Sequence, residues 1–176
     1  WRNDREHYRD HIKTHVIEPF RIPENWNVWR AMDWGYTRPF SVGWYAVDQD
    51  RRLYRIRELY GCTGTPNEGV KWTPDHVAEE IRRIEREDPN LQGRTVRGVA
   101  DPAIFGNSGT ESVAAVMERK GVFWEPGQHD RLNGKMQIHN RLAFDGQGIP
   151  MLYVFDTCKH FIRTVPNLVY SETDVE

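Results

Sequence analysis

The sequence predicts an α/β domain in which a central mixed sheet of five or more strands is flanked by helices. Two patterns point to it. Within Trp29–Gly61 three strand-like segments follow one another across short turns, an antiparallel meander. After Gly61, segments of helical spacing alternate with short β-branched or aromatic runs, and alternation of that kind lays parallel strands beside a meander.

The elements follow in order. Trp1–Ile17 is highly charged, with Trp1, Tyr8, Ile12 and Val16 at roughly helical spacing, and reads as a helical or partly ordered lead-in outside the main sheet. Pro19 and Pro23 interrupt the chain before the first strand, Arg30–Asp33, which stops at an acid ahead of Gly35 and Pro39. Phe40–Val47 and Leu53–Leu59 are the second and third strands, joined through Asp48, Gln49, Asp50 and Arg51. From Arg52 to Tyr60 large apolar side chains alternate with charges, the period of a sheet wet on one face. Gly61–Lys71 is a loop by composition, and Thr73-Pro74 then supplies an N-cap and a first-turn proline. In the helix Asp75–Arg86, Val77, Ile81 and Ile84 share one face, while Glu79, Glu80, Arg82, Arg83 and Arg86 form a solvated one. Thr95–Asp101 is a β-branched run that again ends in an acid, followed by Pro102. Ser108 and Glu111 have capping-box spacing before a helix Val113–Lys120 closed by Gly121. Val122–Trp124 is a strand, Lys135–Phe144 a helix with Met136, Ile138, Leu142 and Ala143 apolar, Met151–Phe155 a strand, and Thr157–Val165 a closing helix.

Composition narrows the functional classes. At 176 residues, 38% hydrophobic and with seven Trp, the chain builds one globular core. A net charge of −2 argues against a histone-like nucleic-acid coat, but not against a nuclease whose acidic site offsets its basic grip. Cys62 and Cys158 lack metal-ligand spacing and read as reduced thiols of an intracellular protein. No apolar run approaches a membrane span, and there is no signal peptide. The chain begins at Trp1 without an initiator Met, as an excised piece of a longer protein would.

The chemistry is carried by Asp33 and Asp101. An acid after a strand is usually a turn former. Here two of them end short core strands that can lie parallel and adjacent, and open α/β sheets bind ligands outside the carboxyl ends of their strands. Two carboxylates at close range repel unless a shared proton or a hard divalent cation lies between them, and carboxylate oxygens suit Mg²⁺ or Mn²⁺.

RAMDWGYTRPFSVGW around Asp33, GVADPAIF around Asp101, and FIRTVPNLVY followed by an acidic tail resemble the C-terminal nuclease domain of the large terminase subunit of tailed phages, the DNA-packaging motor. The resemblance covers roughly Asn27–Glu176. It implies a ribonuclease H-like fold over residues 28–176, with its C-terminal end incomplete, and makes residues 1–27 a charged lead-in or linker from a preceding domain. It also implies an endonuclease that cuts concatemeric double-stranded viral DNA at the start and end of packaging, by two-metal phosphodiester hydrolysis. Asp33 and Asp101 match the first and second acids and become the catalytic and metal-binding candidates. The third acid of the family lies beyond Glu176, with Asp174 and Glu176 as substitutes. Two ions, Mg²⁺ or Mn²⁺, about 3.5–4 Å apart would activate water and stabilise the leaving oxygen, Asp33 bridging both. The partners implied are double-stranded DNA, the portal, the small terminase subunit and an ATPase domain in the same full-length chain, in the host cytoplasm at the procapsid.

Four further residues are candidates with bland counterparts. Glu58 either points at the site or is a surface charge of its strand; Lys135 and Arg131 either approach phosphate or are solvated; His129 is either a base or an ordinary loop His. Nothing resembles a base-reading helix, so cutting with little sequence preference is expected. Asn133-Gly134-Lys135-Met136 lacks the glycine and hydroxyl spacing of a phosphate loop, so no nucleotide hydrolysis is expected, and no GxSxG string supports a serine hydrolase. Two alternatives stay open: a non-catalytic docking module of the motor, and another ribonuclease H-like nuclease of the resolvase or transposase type.

Overall fold

Seven strands form one mixed sheet in the order β1-β7-β4-β3-β2-β5-β6. The computed structural model describes residues 1–107, 109, 111–128 and 130–167, the side chain of residue 131 excepted. The meander is β2 (Asn27–Asp33), β3 (Ser41–Val47) and β4 (Leu53–Tyr60), antiparallel throughout. Helix α1 (Pro74–Glu87) crosses over and delivers β5 (Val96–Ala100) parallel to β2, the neighbour relation the two acid-ended strands predicted. Past it lie α2 (Val113–Arg119), the short edge strand β6 (Glu125–Pro126), helix α3 (Arg131–Leu142), β7 (Leu152–Phe155) parallel to β4, and α4 (Lys159–Thr164). No helix among the described residues is long and apolar enough to cross a membrane.

Local chemistry explains most boundaries. Thr73 caps α1 through a hydrogen bond from the His76 amide, with Pro74 in the first turn. Val77, Ala78, Ile81 and Ile84 bury the inner face of α1 against one side of the sheet, where Val28, Met32, Val42 and Trp44 are also buried. One charged pair lies inside this layer. Arg30 on β2 reaches Glu85 on α1, which also accepts the indole N–H of Trp44 at 2.9 Å. The Arg30 guanidinium further donates to the carbonyl of Phe123 and lies 4.4 Å over the Trp124 ring. Gly98 makes room for it, since a Cβ there would fall 2.9 Å from the guanidinium and 2.5 Å from the Phe123 carbonyl oxygen.

Several expected elements move. The lead-in is not helical. A short 3₁₀ turn at Arg5–His7 is its only helical part, and Val16–Ile17 form β1, the edge strand beside β7, because Val16 and Ile17 are fully buried. His15 anchors that strand, accepting the Arg2 amide at Nδ1 and bonding the Leu142 carbonyl through Nε2. The cap of α2 is Ser112, which accepts the Ala115 amide, while Ser108 and Thr110 lie outside the described residues. The strand expected at Val122–Trp124 sits two residues later, at β6. Helix α3 starts earlier than expected because Asp130 caps it, and its Met136 and Ile138 are exposed rather than inward. Cys62 and Cys158 are unbridged, and burial raises the Cys158 thiol to about 12.

Candidate active site

Asp33 and Asp101 meet at the carboxyl end of the sheet. The β2–β5 ladder runs from Val28↔Val96 to Met32↔Ala100, so the next residue of each strand is an acid. The Asp101 amide donates to the Met32 carbonyl at 3.3 Å, which continues the ladder to the acids themselves. Asp101 also accepts the Ala103 amide at 2.7 Å and so caps the 3₁₀ turn Pro102–Phe105. The turn former and the candidate ligand are one residue, and capping limits how far its carboxylate can swing.

The turn after Asp33 is held from outside. A Cβ on Gly35 would lie 2.4 Å from the Arg38 carbonyl oxygen and 2.8 Å from that of Pro39, so no larger residue fits the turn. The 61–70 loop braces it, the Gly69 amide donating to the Thr37 carbonyl at 2.8 Å, and Trp34 stacks on buried Phe40. Asp33 therefore stands on a rigid strand end, as a metal ligand must to keep its geometry.

Electrostatics single out the same pair. The Asp33 carboxyl is raised above its ordinary value, first by desolvation against the strand end and then by the charge of Asp101. A cation shared between the two would relieve that repulsion. The donor set, carboxylate oxygens alone, fits hard Mg²⁺ or Mn²⁺ rather than a soft metal. Among the described residues no group of three or more His, Cys, Asp or Glu is placed to hold a metal ion. The third-acid substitutes Asp174 and Glu176 lie outside the described residues, as does His129.

Glu58 is placed elsewhere. Register sets it opposite Gly43, which is opposite Ala31, two strands from Asp33. It is neither a site acid nor a surface charge. It is buried, 3.6 Å from Arg55, and accepts the His160 and Phe161 amides at 2.7 and 3.0 Å at the start of α4. Alternation in β4 hid this because a β-bulge at Trp44/Tyr45 shifts the register, and α4 covers that face. Lys135 lies on exposed α3, and Arg131 is its first residue. A cavity of about 610 Å³ lies at the opposite end of β2 and β5, lined by Arg21, Trp29, Arg94 and Arg97 among others. Two of its cations are engaged structurally: Arg94 holds the carbonyls of Ile22, Pro23 and Trp26, and Arg97 stacks on Trp29 and pairs with Glu125.

No protein-family model and no curated protein sequence matches the chain. Solved structures do match. The P22 large terminase nuclease domain superposes with a TM-score of 0.62 at 16% identity, over 88% of this chain and 72% of that one. The large terminase from a thermophilic bacteriophage, in complex with ATP-gamma-S, gives 0.65 at 18% identity, covering 90% of this chain and 36% of the other; its ADP complex gives 0.63 at 20%, covering 90% and 35%. The chain thus spans about a third of those full terminases. At this level of identity the fold is what is shared: a mixed α/β sheet of the ribonuclease H-like kind, as in terminase nuclease domains.

Proposed function

We propose that this domain is a divalent-metal-dependent endonuclease of a phage DNA-packaging motor, cutting concatemeric double-stranded DNA with little sequence preference. The observation that carries the reading is the pairing of Asp33 and Asp101 at the ends of adjacent parallel strands, in a fold shared with terminase nuclease domains. Asp33 and Asp101 would hold Mg²⁺ or Mn²⁺, with a third carboxylate from outside the described residues. Such ions supply a water acidified to near-neutral pKa and positive charge for the departing 3′ oxygen. The chain itself orients the two carboxylates: the sheet fixes Asp33, and the Ala103 amide fixes Asp101. The raised Asp33 carboxyl favours a cation or proton beside the pair. The ATPase domain, portal and small subunit of such a motor, at the procapsid in the host cytoplasm, are the partners this reading supplies.

A second reading, a non-catalytic docking module, is favoured by exposed Leu132, Met136 and Ile138 on α3. Plasmid cleavage with Mg²⁺ or Mn²⁺ separates the two, run on this chain and on a version continuing past Glu176, each with and without Asp33→Ala. Cutting that Asp33→Ala reduces at least about 100-fold supports the nuclease. A folded, longer protein that never cuts and binds neither ion leaves the docking module.

A further inference from the structure

A second feature of the same sheet end has no role in the acid pair. The β4–β7 ladder stops at Arg55↔Val154, and the turn out of β7 leads into α4. Between them a cavity of about 250 Å³ is lined by Arg57, Glu58, Thr157, Lys159 and His160. Glu58 gives it little negative character, because its carboxylate faces Arg55 and the His160 and Phe161 amides. The same bonds consume the amides of the first turn of α4, so what the cavity offers a ligand is side chains.

Those side chains are cationic and underused. Lys159 is exposed, and no ion pair among the described residues involves it. Arg57 borders the cavity from β4, its guanidinium turned to the α1 side of the sheet, 3.7 Å from Asp88. The His160 ring lies against Tyr60, with its buried Nδ1 lacking any hydrogen-bond partner among the described residues. Thr157 adds a hydroxyl. An ammonium, an imidazole and a hydroxyl around so small a volume suit a single phosphate group.

We propose that this cavity binds a backbone phosphate of the DNA substrate, away from the bond to be cut; this rests on the nuclease reading above. Position supports DNA over a free anion. Strands β2, β4, β5 and β7 all point the same way, so the turn out of β7 that lines the cavity follows the end of the sheet that carries Asp33 and Asp101. Tyr60 is in register with Ser41, and Ser41 with Asp33. Two inter-strand spacings of about 4.8 Å and three residues of about 3.4 Å put Arg57 roughly 14 Å from Asp33. That distance is of the order of the span of a few nucleotides of one strand. One strand lying across the sheet end would reach both sites.

The test is metal-free binding of a short DNA duplex to this chain, in EDTA, followed by fluorescence anisotropy over a range of salt. Lys159→Ala, at an exposed position, is expected to weaken binding roughly 3- to 10-fold and to lower the salt-dependence slope by about 0.9, one phosphate contact. Arg86→Ala, on the outer face of α1, is expected to leave the slope unchanged. An unchanged slope in Lys159→Ala, or an equal fall in Arg86→Ala, overturns the proposal. The His160 imidazole resonances provide an independent reading. A shift with duplex supports the site, a shift with inorganic phosphate alone overturns DNA as its ligand, and no shift with either overturns the site. Plasmid cutting reports separately on Asp33, so the subsite can fail while the nuclease stands, and the nuclease can fail while the contact stands.

Discussion

The Asp101 amide donates to the carbonyl of Met32, the residue before Asp33, and this one bond sets the two acids side by side at the end of the sheet. Burial and then the Asp101 charge raise the Asp33 carboxyl, so ionised Asp33 is a cost to the fold. Asp33→Asn is therefore expected to stabilise the fold slightly at pH 7, by less than about 1 kcal/mol because solvent screens the strand end. The sign follows from linkage. A carboxyl raised in the fold favours the folded state below its unfolded pKa of about 3.9 and disfavours it as pH rises through the folded value. The difference between Asp33→Asn and the parent should thus vanish below about pH 4. Added Mn²⁺ should stabilise the parent and not the variant. Melts at two pH values, with and without Mn²⁺, decide it.

Gly35→Ala addresses the turn that fixes Asp33. The new methyl would meet two carbonyl oxygens, those of Arg38 and Pro39. A loss of about 1–3 kcal/mol by urea unfolding is expected, together with weaker Mn²⁺ binding in protein that remains folded, since the strand end carrying Asp33 must shift.

Glu58→Ala separates a structural acid from a catalytic one. Arg55 is 5% exposed and would keep a buried charge without its partner, while two α4 amides would lose their acceptor. The expected cost is about 3–5 kcal/mol. Mn²⁺ affinity, measured by calorimetry on folded protein at low temperature, should be unchanged. A lost metal site with little change in stability would return Glu58 to the acid pair.

His15 predicts an acid-sensitive strap. It is fully buried, its ring stacked on Trp1 at 5.1 Å, and burial lowers its pKa, with the Leu142 carbonyl opposing more weakly. Nδ1 accepts the Arg2 amide, so the fold requires the neutral ring. Stability should be level above about pH 7 and fall as pH drops below the unfolded value of about 6.5, where only the unfolded chain takes up the proton. His11, lowered by burial as well, adds to the same trend. His15→Phe should flatten the pH 5–7 part of a denaturant-midpoint profile.

The sequence by itself determined the meander, the crossover to a parallel strand and the two acids that end β2 and β5. These are local matters: side-chain period, turn residues and the Thr73-Pro74 helix start all act within a few residues of where they are written. The tertiary structure alone decided the rest. Val16–Ile17 became an edge strand because β7, well over a hundred residues later, offers them a partner and full burial. Glu85, written among the charges of α1, turned inward because Arg30 and Trp44 wait there with donors. Glu58 became a cap through a helix start unrelated to its own strand, and Asp33 acquired its raised carboxyl through burial at the strand end and then the charge of Asp101 beside it. Each case has the same physical reason: the energy of a buried charge or an edge strand depends on its partner, and partners are set by topology rather than by neighbours in the chain.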